Sequence, residues 1–138
     1  CRPRKSEIRK GHVIMPAIII HSLDDAVAAL KNHHQTATVP SDILYLLSPR
    51  DGAATMGAAV FQAMITDARA QFPECAFTAV LDCGNEPGYA QAAIRAGVKA
   101  ITFEGIPEAF IRISNIAKQN DCQITNQSVY SNSLRNSD

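Results

Sequence analysis

The sequence lacks tryptophan, is poor in aromatic residues, and has no apolar stretch that could cross a lipid bilayer. Aromatic residues make up 6% of the 138 residues. The apolar segment near residues 13–20 is far shorter than the ~20 residues of a spanning helix. It contains Pro16, and a charged helical segment follows it, so it does not have the pattern of a secretory signal. We therefore predict no membrane partner.

The sequence also lacks an excess of either charge. Thirteen basic residues balance thirteen acidic ones, which gives no support for binding to nucleic acid. The first twelve residues nevertheless carry a net charge of +4, from Arg2, Arg4, Lys5, Arg9 and Lys10 against Glu7. We predict that residues 1–12 are a basic arm that is either disordered or not native. Met15 is a candidate natural start, in which case residues 1–14 have no role.

Cysteines are few and scattered, at positions 1, 75, 83 and 122, with no C-x-x-C pair and no histidine at metal-ligand spacing. This favours a reducing compartment over a disulfide framework, and the cytoplasm is the default compartment. We predict that Cys75 and Cys122 are both reduced. The sequence predicts neither a metal site nor a cofactor.

Five apolar segments, near residues 13–20, 43–47, 76–81, 98–103 and 122–125, alternate with four segments of helical period. The helical segments lie near residues 23–34, 53–72, 86–96 and 107–120. Ser22 and Asn85 are candidate helix caps. Pro73 and Gly97 are typical residues just beyond a helix end. The alternation predicts one α/β domain over residues 13–125, followed by a polar tail over residues 126–138.

The apolar segments are continuous rather than alternating, which is typical of strands covered on both faces. We therefore predict a five-stranded, mostly parallel sheet with helices on both faces. The first choice of strand order is the flavodoxin-like 2-1-3-4-5. The alternative is a half-barrel-like repeat of the same βα units.

Ligands of open parallel sheets bind beyond the carboxyl ends of the strands, where the strand order reverses. In the order 2-1-3-4-5 that point lies between the first and third strands. The candidate site residues are those that leave the strands at this end. They are His21, Ser22, Arg50, Asp51, Gly52, Asp82, Cys83, Asn85 and Glu104.

Cys83, Asp82 and His21 are the candidate catalytic residues. A thiol at a helix amino terminus has a lowered pKa and is the more reactive for it, and His21 is a candidate base. The simpler interpretations are that Cys83 fills space as a small apolar residue and that His21 is exposed to solvent. For Asp82, the simpler interpretation is a carboxylate that accepts hydrogen bonds from loop amides.

Arg50, Asp51 and Gly52 precede a helical segment that begins with small residues, where a cation and backbone amides together favour a phosphate or carboxylate. Small residues there also allow a helix to pack closely on the sheet. The sequence thus predicts a module that binds a small molecule or anion, or that regulates through interaction, at the carboxyl ends of the strands. The alternative is a small lyase, hydrolase or thiol-dependent enzyme at the same crevice. A homodimer is a further expectation.

Overall fold

Six parallel strands form one sheet in this computed structural model, which describes residues 17–36, 44–125, 130 and 133–134. The strands are β1 (Ala17–Ile19), β2 (Leu44–Leu47), β3 (Phe77–Asp82), β4 (Ala100–Thr102), β5 (Gln123–Thr125) and β6 (Ser133–Leu134). The predicted basic arm lies outside the described residues. The α/β class and the parallel sheet are confirmed.

The order of the strands is β5-β4-β3-β2-β1-β6, so the predicted order 2-1-3-4-5 was wrong. Each of the first four strands pairs with the next one along the chain. This sequential order is that of the half-barrel-like alternative. Because β2 lies between β1 and β3, the crevice predicted between those two strands is absent.

Five helices lie within the two long described ranges, 17–36 and 44–125: α1 (Leu23–Thr36), α2 (Gly52–Thr55), α3 (Ala58–Gln71), α4 (Pro87–Ala96) and α5 (Pro107–Gln119). We predicted a single helix over residues 53–72, but the structure has two helices there, α2 and α3. Gly57 separates them, because its φ of 91° is not compatible with an α-helix. Ser22 caps α1 as predicted, accepting a bond from the amide of Asp25. No helix in the described ranges is both long and apolar enough to cross a membrane.

The four long helices lie side by side on one face of the sheet, in the order α1, α3, α4, α5. A right-handed crossover between strands that are sequential neighbours places every helix on the same side. The larger core cluster joins these helices to one face of the strands. The described part of the other face has a small cluster of its own, made of Ala17, Leu47, Val80, Ala100 and Tyr130. The four long helices therefore cover one face, and Tyr130, which is itself helical, packs on the other.

Part of the segment predicted to be a polar tail takes part in the fold. The backbone of β6 pairs with β1 in parallel, extending the sheet beyond its first strand. Tyr130 is buried against the face opposite the four long helices. Its hydroxyl contacts the chain just beyond β2, at the end of the sheet where the strands finish.

Candidate functional site

A network of hydrogen bonds centred on Asp82 joins the carboxyl ends of three strands. The carboxylate accepts bonds from the backbone amide of Asp51 at 2.7 Å, the amide of Gly84 at 3.2 Å, and the hydroxyl of Thr102 at 2.6 Å. Thr102 is opposite Asp82 in the register of β3 and β4. Asp82 is only 3% exposed. The Asp82 carboxylate accepts hydrogen bonds from loop amides. This agrees with the simpler interpretation of Asp82 rather than with a catalytic role.

Ser48 and Tyr130 extend this network. The hydroxyl of Ser48 accepts a bond from the amide of Asp82 at 3.0 Å and donates to the carbonyl of Pro49. The hydroxyl of Tyr130 donates to the carbonyl of Ser48 at 2.6 Å. The guanidinium carbon of Arg50 lies 4.7 Å from the centre of the Tyr130 ring. Burial raises the pKa of Tyr130 to about 12, so its hydroxyl remains a donor at neutral pH.

The turn between β2 and α2 depends on close backbone packing. A side chain at Gly52 would place its Cβ 2.4 Å from the hydroxyl oxygen of Ser48, so only glycine fits. Asp51 adopts a left-handed conformation, with φ of 64°, which a non-glycine residue takes only when its surroundings hold it there. The bond from its amide to Asp82 supplies that restraint. The turn is therefore rigid.

Cys83 points away from this network. Its side chain belongs to the core cluster on the helix side and is 2% exposed, and its thiol lies 3.8 Å from the carbonyl of Leu81. Burial, together with the negative charge of Asp82, raises the pKa of Cys83 from 9.0 to about 12. This direction is opposite to the one that the sequence predicted. Cys75 and Cys122 are both buried and reduced.

His21, Ser22 and Asn85 do not join the Asp82 network. His21 is exposed beyond the end of β1, its Nδ1 3.5 Å from a carboxylate oxygen of Asp25. Ser22 caps α1, and Asn85 is exposed. The residue before α4 is Glu86, not the predicted cap Asn85.

Of the nine predicted site residues, the structure brings four together: Arg50, Asp51, Gly52 and Asp82. Glu104 is adjacent, because its amide donates to the carbonyl of Gly84 at 2.8 Å, and its side chain is exposed. The Cys83 side chain lies in the core on the helix side of the sheet. His21 follows β1, which is two strands away from β3, where Asp82 lies. The three predicted catalytic residues therefore do not share a pocket.

An open groove lies at the opposite end of the sheet, between α3 and the first residues of β3. Its volume is about 680 Å³, within the range of small-molecule sites. The apolar part of its lining comes from Ile65, Ala70, Phe77 and Ala79, and the polar part from Gln62, Thr66, Arg69, Thr78 and Lys99.

Two cations and no carboxylate line this groove among the described residues. Arg69 lies in the last turn of α3, and its guanidinium carbon is 4.1 Å from the centre of the Phe77 ring. Lys99 immediately precedes β4. The planar Arg69 guanidinium carries five donors and the Lys99 ammonium three. Their positive charge favours a carboxylate or phosphate.

The sequence interpretation missed the groove because its two cations are thirty positions apart on different elements. A lone Arg at a helix end is usually explained by the helix dipole, and a lone Lys before a strand is an ordinary surface residue. Ser48, Thr102 and Tyr130 were missed as well. Only Ser48 had a usable signal, since it follows β2 at the carboxyl end directly before a turn.

A scan against protein-family models finds no match to this chain. A search of curated proteins likewise finds none. In the described part of the chain no three His, Cys, Asp or Glu residues come together in a group that could hold a metal ion. The proposals below therefore rest on the geometry of the chain itself.

Proposed function

We propose that this protein is a binding module for a small organic anion. The observation that carries the proposal is the groove of about 680 Å³ in which Arg69 and Lys99 stand beside an apolar lining. A ligand that fits combines a carboxylate or phosphate with an apolar or aromatic body. Such sites are mostly apolar, with a few polar groups that fix the orientation of the ligand.

Three features of the groove support this ligand class. The stacking of Arg69 on Phe77 holds the guanidinium in place before a ligand arrives, which lowers the entropy that binding costs. Lys99 adds a second charge from a different element. Gln62 and Thr66, one helical turn apart on α3, offer polar side chains at the same surface.

The carboxyl end of the sheet, where the sequence predicts the ligand, remains a second candidate position. The observation in favour of this position is that the Arg50 guanidinium lies over the ring of Tyr130. However, the Asp82 network already uses its polar groups in mutual hydrogen bonds, and Asp51, Glu86 and Glu104 are exposed nearby. These acidic side chains oppose an anion, so the groove is the better site.

A thiol-dependent enzyme finds less support than a binding module. At neutral pH a thiol with a pKa of about 12 is almost fully protonated, and the thiolate is the nucleophile. The only hydrogen-bond partner of the Cys83 thiol among the described residues is the carbonyl of Leu81, which cannot take its proton. His21 is not next to it.

The proposal is tested by titrating the isotope-labelled protein with phenyl phosphate and following backbone amide resonances. Phenol serves as the neutral control, and inorganic phosphate as the control without an apolar body. We expect saturable shifts at Thr66, Arg69, Phe77 and Lys99 with phenyl phosphate, and weaker binding of both controls. Arg69→Gln and Lys99→Gln should each raise the dissociation constant at least ~10-fold, because each removes a charge-assisted contact.

Arg95→Gln is the matched control, because Arg95 is exposed in the last turn of α4, as Arg69 is in α3, and does not line the groove. It should leave the affinity unchanged. If Arg50→Gln abolishes binding while Arg69→Gln does not, the ligand binds at the carboxyl end and the groove proposal is wrong. Absence of any saturable shift would reject anion binding at both places.

A further inference from the structure

Large apolar side chains are exposed mainly around the start of α5. Five such residues are exposed in the described part of the chain, and three of them are Ile106, Phe110 and Ile111, at 64%, 40% and 61%. The other two, Val60 and Tyr89, lie singly on α3 and α4. Single exposed apolar residues are ordinary, whereas a cluster on one element marks an interaction surface.

The cluster faces away from both the core and the neighbouring helix. Ala109, Ile113 and Ala117 bury the inner side of α5. Ile116 lines the cleft that α5 forms with α4. At ~100° per residue, Phe110 and Ile111 lie roughly 120° and 140° round the helix from Ile116. They therefore point outward at the end of the helix layer, beyond which the described residues place no further long helix.

Four positions form a stripe along this outer side of α5. Pro107, Phe110, Ile111 and Ser114 are spaced i, i+3, i+4 and i+7, the pattern of a helix that packs against another helix. Phe110 is held in place because its ring stacks on the buried Phe103, with ring centres 6.3 Å apart. The stripe is apolar apart from Ser114, and it is pre-organised.

The charged residues beside this stripe are arranged symmetrically about its centre. Glu108 and Arg112 are both exposed and lie on one flank of Ile111. Neither takes part in an ion pair within the described structure. Suppose that a second α5 packs antiparallel to the first, with the two-fold axis level with Phe110 and Ile111. Glu108 of one helix and Arg112 of the other are then offset by only ~1.5 Å, measured along the helix axis.

We propose that the partner of this surface is a second copy of the same chain, bound through an antiparallel α5–α5 contact. A two-fold interface must be complementary to itself, and the outer side of α5 meets this requirement. Ile111 meets its own copy at the centre. On one flank Phe110 meets its copy, and Ser114 lies level with Pro107 of the second copy. On the other flank Glu108 pairs with Arg112 of the second copy. Glu108 in the first turn and Lys118 in the last also favour the antiparallel direction.

The contact is small for a stable dimer. A helix of 13 residues is ~20 Å long, so the buried area lies at the low end for specific interfaces, and we expect a dissociation constant on the order of micromolar.

The first test is the molar mass of the full chain, measured by sedimentation equilibrium under reducing conditions up to roughly 1 mM. We expect a concentration-dependent rise from 14.9 kDa to twice that mass. Ile111→Glu should weaken the dimer at least ~30-fold, because it buries an unpaired charge at the centre of the contact. Val60→Glu is the matched control, since Val60 is 59% exposed on α3, and it should leave the dimer intact.

The second test exchanges the charges. Glu108→Arg and Arg112→Glu should each weaken dimerisation roughly 10-fold, through like-charge repulsion, and the double variant should restore the affinity of the wild type. A wild type that stays monomeric throughout overturns the proposal. So does an Ile111→Glu protein that still dimerises, or a double variant as weak as its single parents. Far-UV circular dichroism of every variant confirms that a loss of mass is not unfolding.

Discussion

At the carboxyl end of the sheet the polar side chains bind one another, whereas at the amino end two cations line an open groove. Asp82 accepts three hydrogen bonds while nearly fully buried. Arg69 and Lys99 are exposed and have no acidic neighbour in the described lining of the groove. The two ends of one sheet therefore differ in what their polar groups do: the first stabilises the fold, and the second is suited to a ligand.

Acidic and basic side chains are also divided between the two ends of the sheet, and the direction of the helices explains why. Asp24, Asp25 and Glu108 occupy first turns at the carboxyl end of the sheet. Arg69, Arg95 and Lys118 occupy last turns at the amino end. Because all the long helices run opposite to the strands, their dipoles favour this arrangement. It makes the carboxyl end acidic and the amino end basic, and an anionic ligand is attracted to the amino end.

Among the variants that test this comparison, Asp82→Ala should lower the free energy of unfolding the most. It leaves the amides of Asp51 and Gly84 and the hydroxyl of Thr102 without their acceptor. We expect the free energy of unfolding in urea to fall by roughly 3–5 kcal/mol. Asp67→Ala, at an exposed position of α3, should cost less than about 0.5 kcal/mol. Equal losses in the two variants would show that the Asp82 network does not hold the carboxyl end together.

Two glycine substitutions should have effects of opposite sign. Gly52→Ala forces a Cβ against Ser48 and should cost roughly 1–3 kcal/mol. Gly88→Ala places a Cβ in open space within α4 and should stabilise the protein by about 0.5–1 kcal/mol. Urea unfolding of both variants measures the difference. Stabilisation by Gly52→Ala would mean that the turn after β2 is loose.

Alkaline pH should lower the stability gradually, through buried groups that keep their protons in the folded protein. The folded protein holds the proton of Cys83 up to a pKa of about 12, while the unfolded chain releases it near 9.0. The free energy of unfolding should therefore be constant below pH 9 and fall above it, by up to about 1.4 kcal/mol per pH unit for this group. Cys122, whose pKa burial raises from 9.0 to about 11, adds a comparable fall above pH 9. Tyr130, whose pKa rises from 10.0 to about 12, adds to the fall above pH 10.

The measurement is urea unfolding from pH 7 to pH 10.5 under reducing conditions. Cys83→Ala should reduce the fall between pH 9 and pH 10 by roughly half, because Cys122 still titrates with a raised pKa of about 11. An unchanged slope in that variant would show that the thiol is accessible to water in the folded state and is not held in the helix-side core.

Most of the secondary structure could be predicted because its signals are local. Continuous apolar segments marked the strands, Ser22 marked the start of α1, and Gly97 marked the end of α4 in its left-handed conformation. The break at Gly57 could not be predicted, since a glycine inside a helical pattern is often tolerated. The candidate site was predicted only in part. Arg50, Asp51 and Asp82 converge, but the side chains of Cys83 and His21 do not reach them.

The sequence by itself determined the α/β class, the parallel sheet and the positions of most helices. Apolar periodicity and helix caps act over a few residues, and no distant contact is needed to recognise them. The tertiary structure decided the order of the strands, the single layer of long helices, the burial of Tyr130 and the meeting of Arg69 with Lys99. These features depend on which strand lies beside which, and the five apolar segments are too similar to one another for their composition to specify that choice.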